Sequence, residues 1–165
     1  LDADIQGAQS AANQALKLFR ELGHLKGQAF AIYAAALADK ARQNSDDAVF
    51  KANEAKKLAE QMGDRILEFA LCETAAEANI MQDRAGLALQ FAKEAQELAV
   101  SLNDQDLQAE ASILITKAYG AYEESRGGAR HAAMEALKLY KDNPKGRVKA
   151  LKAWVASTKG EYDEV

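Results

Sequence analysis

The sequence predicts an all-α protein, a right-handed α-α superhelix built as a solenoid of antiparallel helix hairpins. Three observations predict it. Alanine, the best helix former, fills about a fifth of the 165 residues, while proline occurs once and Val, Ile and Thr are sparse. Apolar residues recur at spacings of three and four, which places them on one helix face. The third observation is a repeat. "ANQALKLFREL", "ANEAKKLAEQM", "AKEAQELAVSL" and "AMEALKLYKDN" begin at residues 12, 52, 92 and 133, at intervals of 40, 40 and 41. Periods of about 20 to 50 residues mark stacked solenoids.

Each predicted helix follows from local sequence. Ala8, Ala11, Ala12, Ala15, Leu18, Phe19 and Leu22 share one face of a helix over 4–22. After "LGH", the segment "KGQAFAIYAAALADKARQ" is apolar around much of its circumference, as expected of a helix over 25–43 sandwiched between neighbours. Ser45 is the expected N-cap of a helix over 46–62, whose apolar face is Ala48, Ala52, Ala55, Ala59 and Met62. Gly63 can take the left-handed conformation that ends this helix, and Asp64 can cap the next one, 65–82. Asp83 is the expected cap of 84–102, with Ala88, Phe91, Ala92, Ala95, Leu98 and Leu102 on one face. Asn103 and Asp104 repeat the stop-and-cap device before 105–124. The segment "ESRGGAR" is the next turn, followed by 129–141 with Ala132, Ala133, Ala136, Leu139 and Tyr140. Asn143 caps the last helix, 145–158, with Pro144 at its first position, where a missing N–H costs nothing.

Together these predict one array of about eight helices over 1–165. Its alanines let helices approach near the short end of the usual ~8–10 Å interaxial range. Small rotations between units accumulate into an arc with a concave side.

Bulk properties exclude some functions. The net charge is −4, with acids and bases interleaved, which argues against a nucleic-acid partner and against a polybasic membrane contact. No apolar run approaches the ~18 residues of a membrane helix, and no charged-then-apolar leader opens the chain. The opening "LDADIQ" lacks an initiator Met and reads as a piece of something longer. The single cysteine, Cys72, excludes an internal disulfide and fits a reducing, intracellular, cytoplasmic setting.

The arrangement resembles the tetratricopeptide repeat. That family places an aromatic, Leu-Gly and Tyr on a first helix, then Ala, an aromatic and Ala on a second. Here the Leu-Gly pair falls at Ala35–Ala36, Ala75–Ala76 and Ile115–Thr116. The second-helix small residues fall at Ala48, Ala52 and Ala55, then at Ala88, Ala92 and Ala95. The spacing from Ala36 to Ala48, and from Ala76 to Ala88, is twelve, as in the family. The closing "KGEYDEV" resembles the family's inter-helix turn. The period of 40 in place of ~34, the degenerate Leu-Gly pair and a first-helix Tyr surviving only as Tyr119 are departures; they resemble the longer-repeat members such as kinesin light chain. HEAT-like or armadillo-like arrays are the structural alternative.

Candidate chemistry is thin. Cys72 lies among apolar residues and reads as core. His24 sits in an inter-helix turn and His131 near a helix start, and both read as solvated; two isolated His do not make a metal site. Asp2, Asp4, Gln6 and Gly7 open like a calcium loop, but its twelfth position, which needs a bidentate Glu, is Asn13. Gly127–Gly128 follows no strand and reads as a flexible turn. Glu73 and Glu77, one turn apart, read as a solvated acidic rung. No nucleophile–base or phosphate-loop pattern occurs, so no catalytic residue, metal or cofactor is expected.

The resemblance implies a groove lined by the first helices. Its expected rungs are Phe30, Tyr33, Leu37 and Lys40; Glu73, Glu77 and Ile80; Glu110, Ile113 and Lys117; and Leu151 and Trp154. The competing reading is that the apolar members fill helix–helix seams. The family's clamp for C-terminal carboxylates needs Lys and Asn on these rungs, which hold mostly Ala, Glu and Thr, so that activity is not carried over. The expected function is a non-enzymatic scaffold that holds a peptide or helix of a protein partner. The alternatives are a sensor domain for a small molecule or signalling peptide, and an accessory domain of a larger enzyme. Apolar end helices further predict end-to-end self-association.

Overall fold

A computed structural model describes residues 2–121 and 126–158. The described residues form helices α1 (Asp2–Glu21), α2 (Leu25–Ala41), α3 (Ser45–Met62), α4 (Arg65–Ile80), α5 (Ala85–Ser101), α6 (Gln105–Gly120), α7 (Arg126–Leu139) and α8 (Pro144–Ser157), with no strand among them. The all-α prediction holds. Residues 122–124, predicted to end the sixth helix, and the turn-like "KGEYDEV" lie outside the described residues. One start differs: α7 begins three residues before the predicted 129, so Gly127 and Gly128 belong to its first turn and not to a loop. A Cβ on Gly128 would lie 2.9 Å from the Tyr119 ring, so close packing accounts for that glycine.

The turns repeat more regularly than the helices. Gly23, Gln43, Gly63, Asp83 and Asn103 all have positive φ, between 53° and 68°, and each is twenty residues after the last. Each left-handed residue is followed at once by the residue that caps the next helix: His24, Asn44, Asp64, Arg84 and Asp104. The cap residue's N–H reaches back five residues: His24 to the Phe19 carbonyl (2.9 Å), Asn44 to Asp39 (2.8 Å), Asp64 to Ala59 (3.0 Å) and Asp104 to Ala99 (3.3 Å). This is a Schellman closure whose last residue doubles as the next N-cap, so one residue satisfies donors and acceptors of two helices.

Two expected caps are corrected by this geometry. Ser45 is not the N-cap but the first residue of α3; Asn44 takes the cap position without a side-chain cap bond. Asp83 occupies the left-handed position, and Arg84 precedes α5. The reason is a fixed two-residue turn: the left-handed residue and the cap must be adjacent, whatever their side chains prefer. Asp64, Asp104 and Asn143 do cap, accepting from Leu67, Leu107 and Gly146 at 3.0–3.2 Å. His24 is not merely solvated: its Nδ1 accepts from the Gly27 N–H at 2.9 Å, and its ring lies 5.5 Å from that of Phe19.

The helices gather into two compact units, Leu1–Gln82 and Asp83–Val165. In the first, α2 packs against α1, α3 and α4, and α3 packs against α4. In the second, α6 packs against α5, α7 and α8, and α7 packs against α8. Each unit is therefore two short-turned helix hairpins joined through their inner helices, the neighbour-to-neighbour packing of an α-α solenoid. The repeat-equivalent residues Ala12, Ala52, Ala92 and Ala133 are all buried, as are Ala55, Ala95 and Ala136 one turn on. Buried hydroxyls bond within their own helices: Thr74 donates to the Ala70 carbonyl (2.9 Å), Ser112 to Gln108 (2.9 Å) and Thr116 to Ser112 (2.8 Å).

Hairpin corners show size exchange. Counting from each cap (His24, Asp64, Asp104, Asn143), the third residue is Gly27, Leu67, Leu107 or Gly146. The facing position at the end of the preceding helix holds Phe19, Ala59, Ala99 or Tyr140. A Cβ on Gly27 would lie 2.3 Å from Phe19 Cδ1, and one on Gly146 2.5 Å from Tyr140 Cδ1. A ring opposite glycine and an alanine opposite leucine fill the same corner in two ways, keeping native packing density.

Candidate partner-binding surface

The cap residues also give the register of the inner helices, α2, α4, α6 and α8. Six residues past each cap stand Phe30, Ala70, Glu110 and Lys149; at nine, Tyr33, Glu73, Ile113 and Lys152; at thirteen, Leu37, Glu77, Lys117 and Ala156. These offsets share one helix face. Nine of the ten residues expected to line the groove in the first three inner helices keep some exposure, and the tenth, Ile113, does not.

In the first unit the face is apolar with a charged edge. Phe30 and Leu37 are exposed, Tyr33 is half-buried, and Lys26 Nζ lies 5.7 Å from the centre of the Phe30 ring. Lys40 donates to Glu77 Oε2 at 2.8 Å, joining α2 to α4. Glu77 is therefore not a purely solvated rung: it ties one hairpin to the next, beside the half-buried Glu73. At 23% and 30% side-chain exposure this pair lies near the upper end of the ~0.2–1 kcal/mol found for surface ion pairs.

The second unit's face is polar and internally bonded. Tyr140 Oη donates to Glu110 Oε1 at 2.7 Å. Lys149 Nζ donates to Glu110 Oε2, so one carboxylate on α6 receives a bond from the residue that follows α7 and another from α8. Lys117, about two turns further along α6, is half-buried. Ile113 is corrected from groove to core: it is buried in one cluster with Ala109, Ala136, Tyr140, Ala150 and Ala153, where the hairpin that follows packs on α6.

Two further residues are reassigned. Leu151 and Trp154 were expected to form the fourth rung, on the 41-residue interval of the outer helices. The last corner is two residues shorter than the others, five residues from Phe19 to His24 but three from Tyr140 to Asn143, and this shifts the register of α8. Lys149 and Lys152 hold the rung positions. Trp154 aligns with Ala35, Ala75 and Ile115, all buried. Leu151 aligns with Ile32, Cys72 and Ser112, also all buried. Lys149 and Tyr140 were missed by reading from the alanines; counting from the caps finds Lys149.

The remaining candidates carry little chemistry. The Cys72 thiol is fully buried, in keeping with a core role. Asp2, Asp4, Gln6 and Gly7 lie within α1, and a helix does not wrap a cation as a loop does. Among the described residues no cluster of three or more His, Cys, Asp or Glu could hold a metal, and no helix is long and apolar enough to cross a membrane. His131 is exposed and lines a cavity of ≈ 280 Å³ in the second unit with Lys93, Gln96, Ser112, Tyr119 and Glu135. That lies just below the ~300–1,000 Å³ typical of small-molecule sites. The described geometry is that of surface faces, and neither a protein-family model nor a curated protein matches the chain.

Proposed function

We propose that this chain is a non-enzymatic interaction module of the tetratricopeptide-like kind, which holds a peptide or helix of a protein partner on the faces of its inner helices. One observation carries the reading. Phe30, Tyr33 and Leu37 stand together on α2, with Phe30 and Leu37 exposed, while the Lys40–Glu77 pair holds the adjacent helix in place. Exposed aromatic and aliphatic residues on a rigid face are what anchor a bound peptide, with neighbouring charges setting its register. The buried hydroxyls of Thr74, Ser112 and Thr116 are satisfied within their own helices, which favours a scaffold formed before a partner arrives, and preorganisation lowers the entropic cost of binding.

The test is selection of peptides from a random library on the purified chain, followed by binding measurements with variants. Peptides with an aromatic or aliphatic anchor beside charged residues are expected. Tyr33→Ala combined with Leu37→Ala is expected to weaken binding by about tenfold or more, equivalent to ~1.4 kcal/mol, without changing helicity. Unchanged affinity in that double variant would remove this face from the mechanism.

A further inference from the structure

We propose that two copies of this chain associate head to tail, the outer face of α8 in one seating on the outer face of α1 in the other. The proposal is independent of the peptide-binding face.

The α8 half of this contact is an apolar stripe that no other described residue covers. Val148, Leu151 and Val155 are 51%, 42% and 59% exposed, and together with Lys152 and Ala156 they line a shallow trough. They lie five, eight and twelve residues past the Asn143 cap. At those three offsets the other inner helices hold Ala29, Ile32 and Ala36; Phe69, Cys72 and Ala76; and Ala109, Ser112 and Thr116. All nine are buried. Ala109 shows what covers this face within a unit: it packs in one cluster with Ala136 and Tyr140 of α7 and Ala150 and Ala153 of α8, the hairpin that follows α6. The α8 stripe is thus the surface on which a following outer helix sits.

The α1 half is the reciprocal surface. Ala8, Ala11, Leu18 and Leu22 run along one face of α1 and its last turn, and all four are exposed, Leu18 at 58%. The residues equivalent to Ala8 in the later outer helices, Ala48, Ala88 and Ala129, are buried, and so is Ala132, the equivalent of Ala11 in α7. In α7 this stripe meets α6, an inner helix. So α1 presents an outer-helix face awaiting an inner helix, and α8 presents an inner-helix face awaiting an outer one. The intrachain register aligns Val148 with Ala15, the counterparts of Ala109 and Ala136.

Charge selects this pairing over two copies of α8 back to back. Residues 126–158 carry eight Lys and Arg against two acids, net +6, whereas α1 carries Lys17 and Arg20 against Asp2, Asp4 and Glu21, net −1. Two α8 faces would repel, and α8 against α1 does not. A contact between two different patches is heterologous, so the association continues beyond a dimer unless its rotation closes a ring.

The test is sedimentation equilibrium of the whole chain over a wide concentration range. The expected result is a mass that rises past that of a dimer. Leu18→Glu and Leu151→Glu alter exposed side chains, so each should keep full helicity by circular dichroism and sediment as a monomer. Mixed one to one, the two variants should form a dimer and nothing larger, because each retains one intact end. A wild-type chain that stays monomeric overturns the proposal, since a different occupant must then cover these faces. A dimer formed by Leu18→Glu alone overturns it as well, since that requires α8 to pair with itself.

Discussion

The corner between α1 and α2 offers the sharpest perturbation. Phe19 is half-buried, and its ring occupies the space a Gly27 side chain would need, with a hypothetical Cβ only 2.3 Å from Cδ1. Ordinary contacts begin near 3.4 Å, so Gly27→Leu drives carbon atoms more than 1 Å into a stiff ring. Overpacking of this kind costs about 1–3 kcal/mol, and the helix-propensity gain over glycine returns at most about 1 kcal/mol. Phe19→Ala alone empties the corner. A core Phe→Ala costs about 3–5 kcal/mol, and partial exposure here brings that to roughly 2 kcal/mol. The double variant places Ala opposite Leu, the pair that already fills the corresponding corner between α3 and α4 as Ala59 and Leu67, both buried. It should therefore regain at least about 1.5 kcal/mol over the sum of the single losses, a coupling typical of residues in contact. Urea denaturation followed by far-ultraviolet circular dichroism on the four proteins gives the cycle directly. Single-variant losses that add to within about 0.5 kcal/mol would show that the two side chains do not share a corner, and would refute the size-exchange reasoning.

Other predictions use the same repeat. Gln43 sits in the left-handed region at φ 62°, so Gln43→Gly should raise stability by about 0.5 kcal/mol, while Gly63→Ala, at φ 68°, should lower it by about 1 kcal/mol; the urea midpoints report both. Glu68 is buried with Oε1 lacking a hydrogen-bond partner among the described residues, whereas Gln28 and Gln108 at the same offset donate to the Phe19 and Ala99 carbonyls at 3.3 and 3.5 Å. Glu68→Gln should supply the missing donor to Ala59 and raise the melting temperature, a gain of about 1 kcal/mol before the loss of the exposed Arg65 partner. Ser45 Oγ is likewise buried and unbonded among the described residues, and α5 has Ala85 at the equivalent position, so Ser45→Ala should be neutral or stabilising by up to about 1 kcal/mol in the same melt. Lys40→Ala should cost about 0.5 kcal/mol, and that cost should shrink at high salt, where the Glu77 attraction is screened.

Much of the fold was legible because its signals are local. The helices follow from apolar spacing at three and four, and the caps Asp64, Asp104 and Asn143 follow from side chains that can accept a backbone N–H at close range. The capping role of His24 was not legible, because histidine is an uncommon cap and its ring is oriented by Phe19. Gln43 and Asp83 were missed as left-handed residues because neither side chain favours that conformation strongly; the turn between two packed helices imposes it. The positions read as a face from the sequence keep some exposure in α2 and α4, lose Ile113 to the core in α6, and fall out of register in α8. Counting from the alanines assumed a constant corner, and the corner after Tyr140 is two residues shorter.

By itself the sequence determined that this chain is helical, how many helices it makes, where they stop, and that they recur on a common period. Those properties depend on hydrogen bonds and side-chain spacings reaching no further than about one turn. Tertiary structure alone decided which members of each helix face water. Glu77 became a tie to Lys40, Glu110 a junction for Tyr140 and Lys149, and Ile113 a core residue clustered with Tyr140. Those outcomes depend on residues more than twenty-five positions away in the chain, brought close only when one hairpin packs on the next.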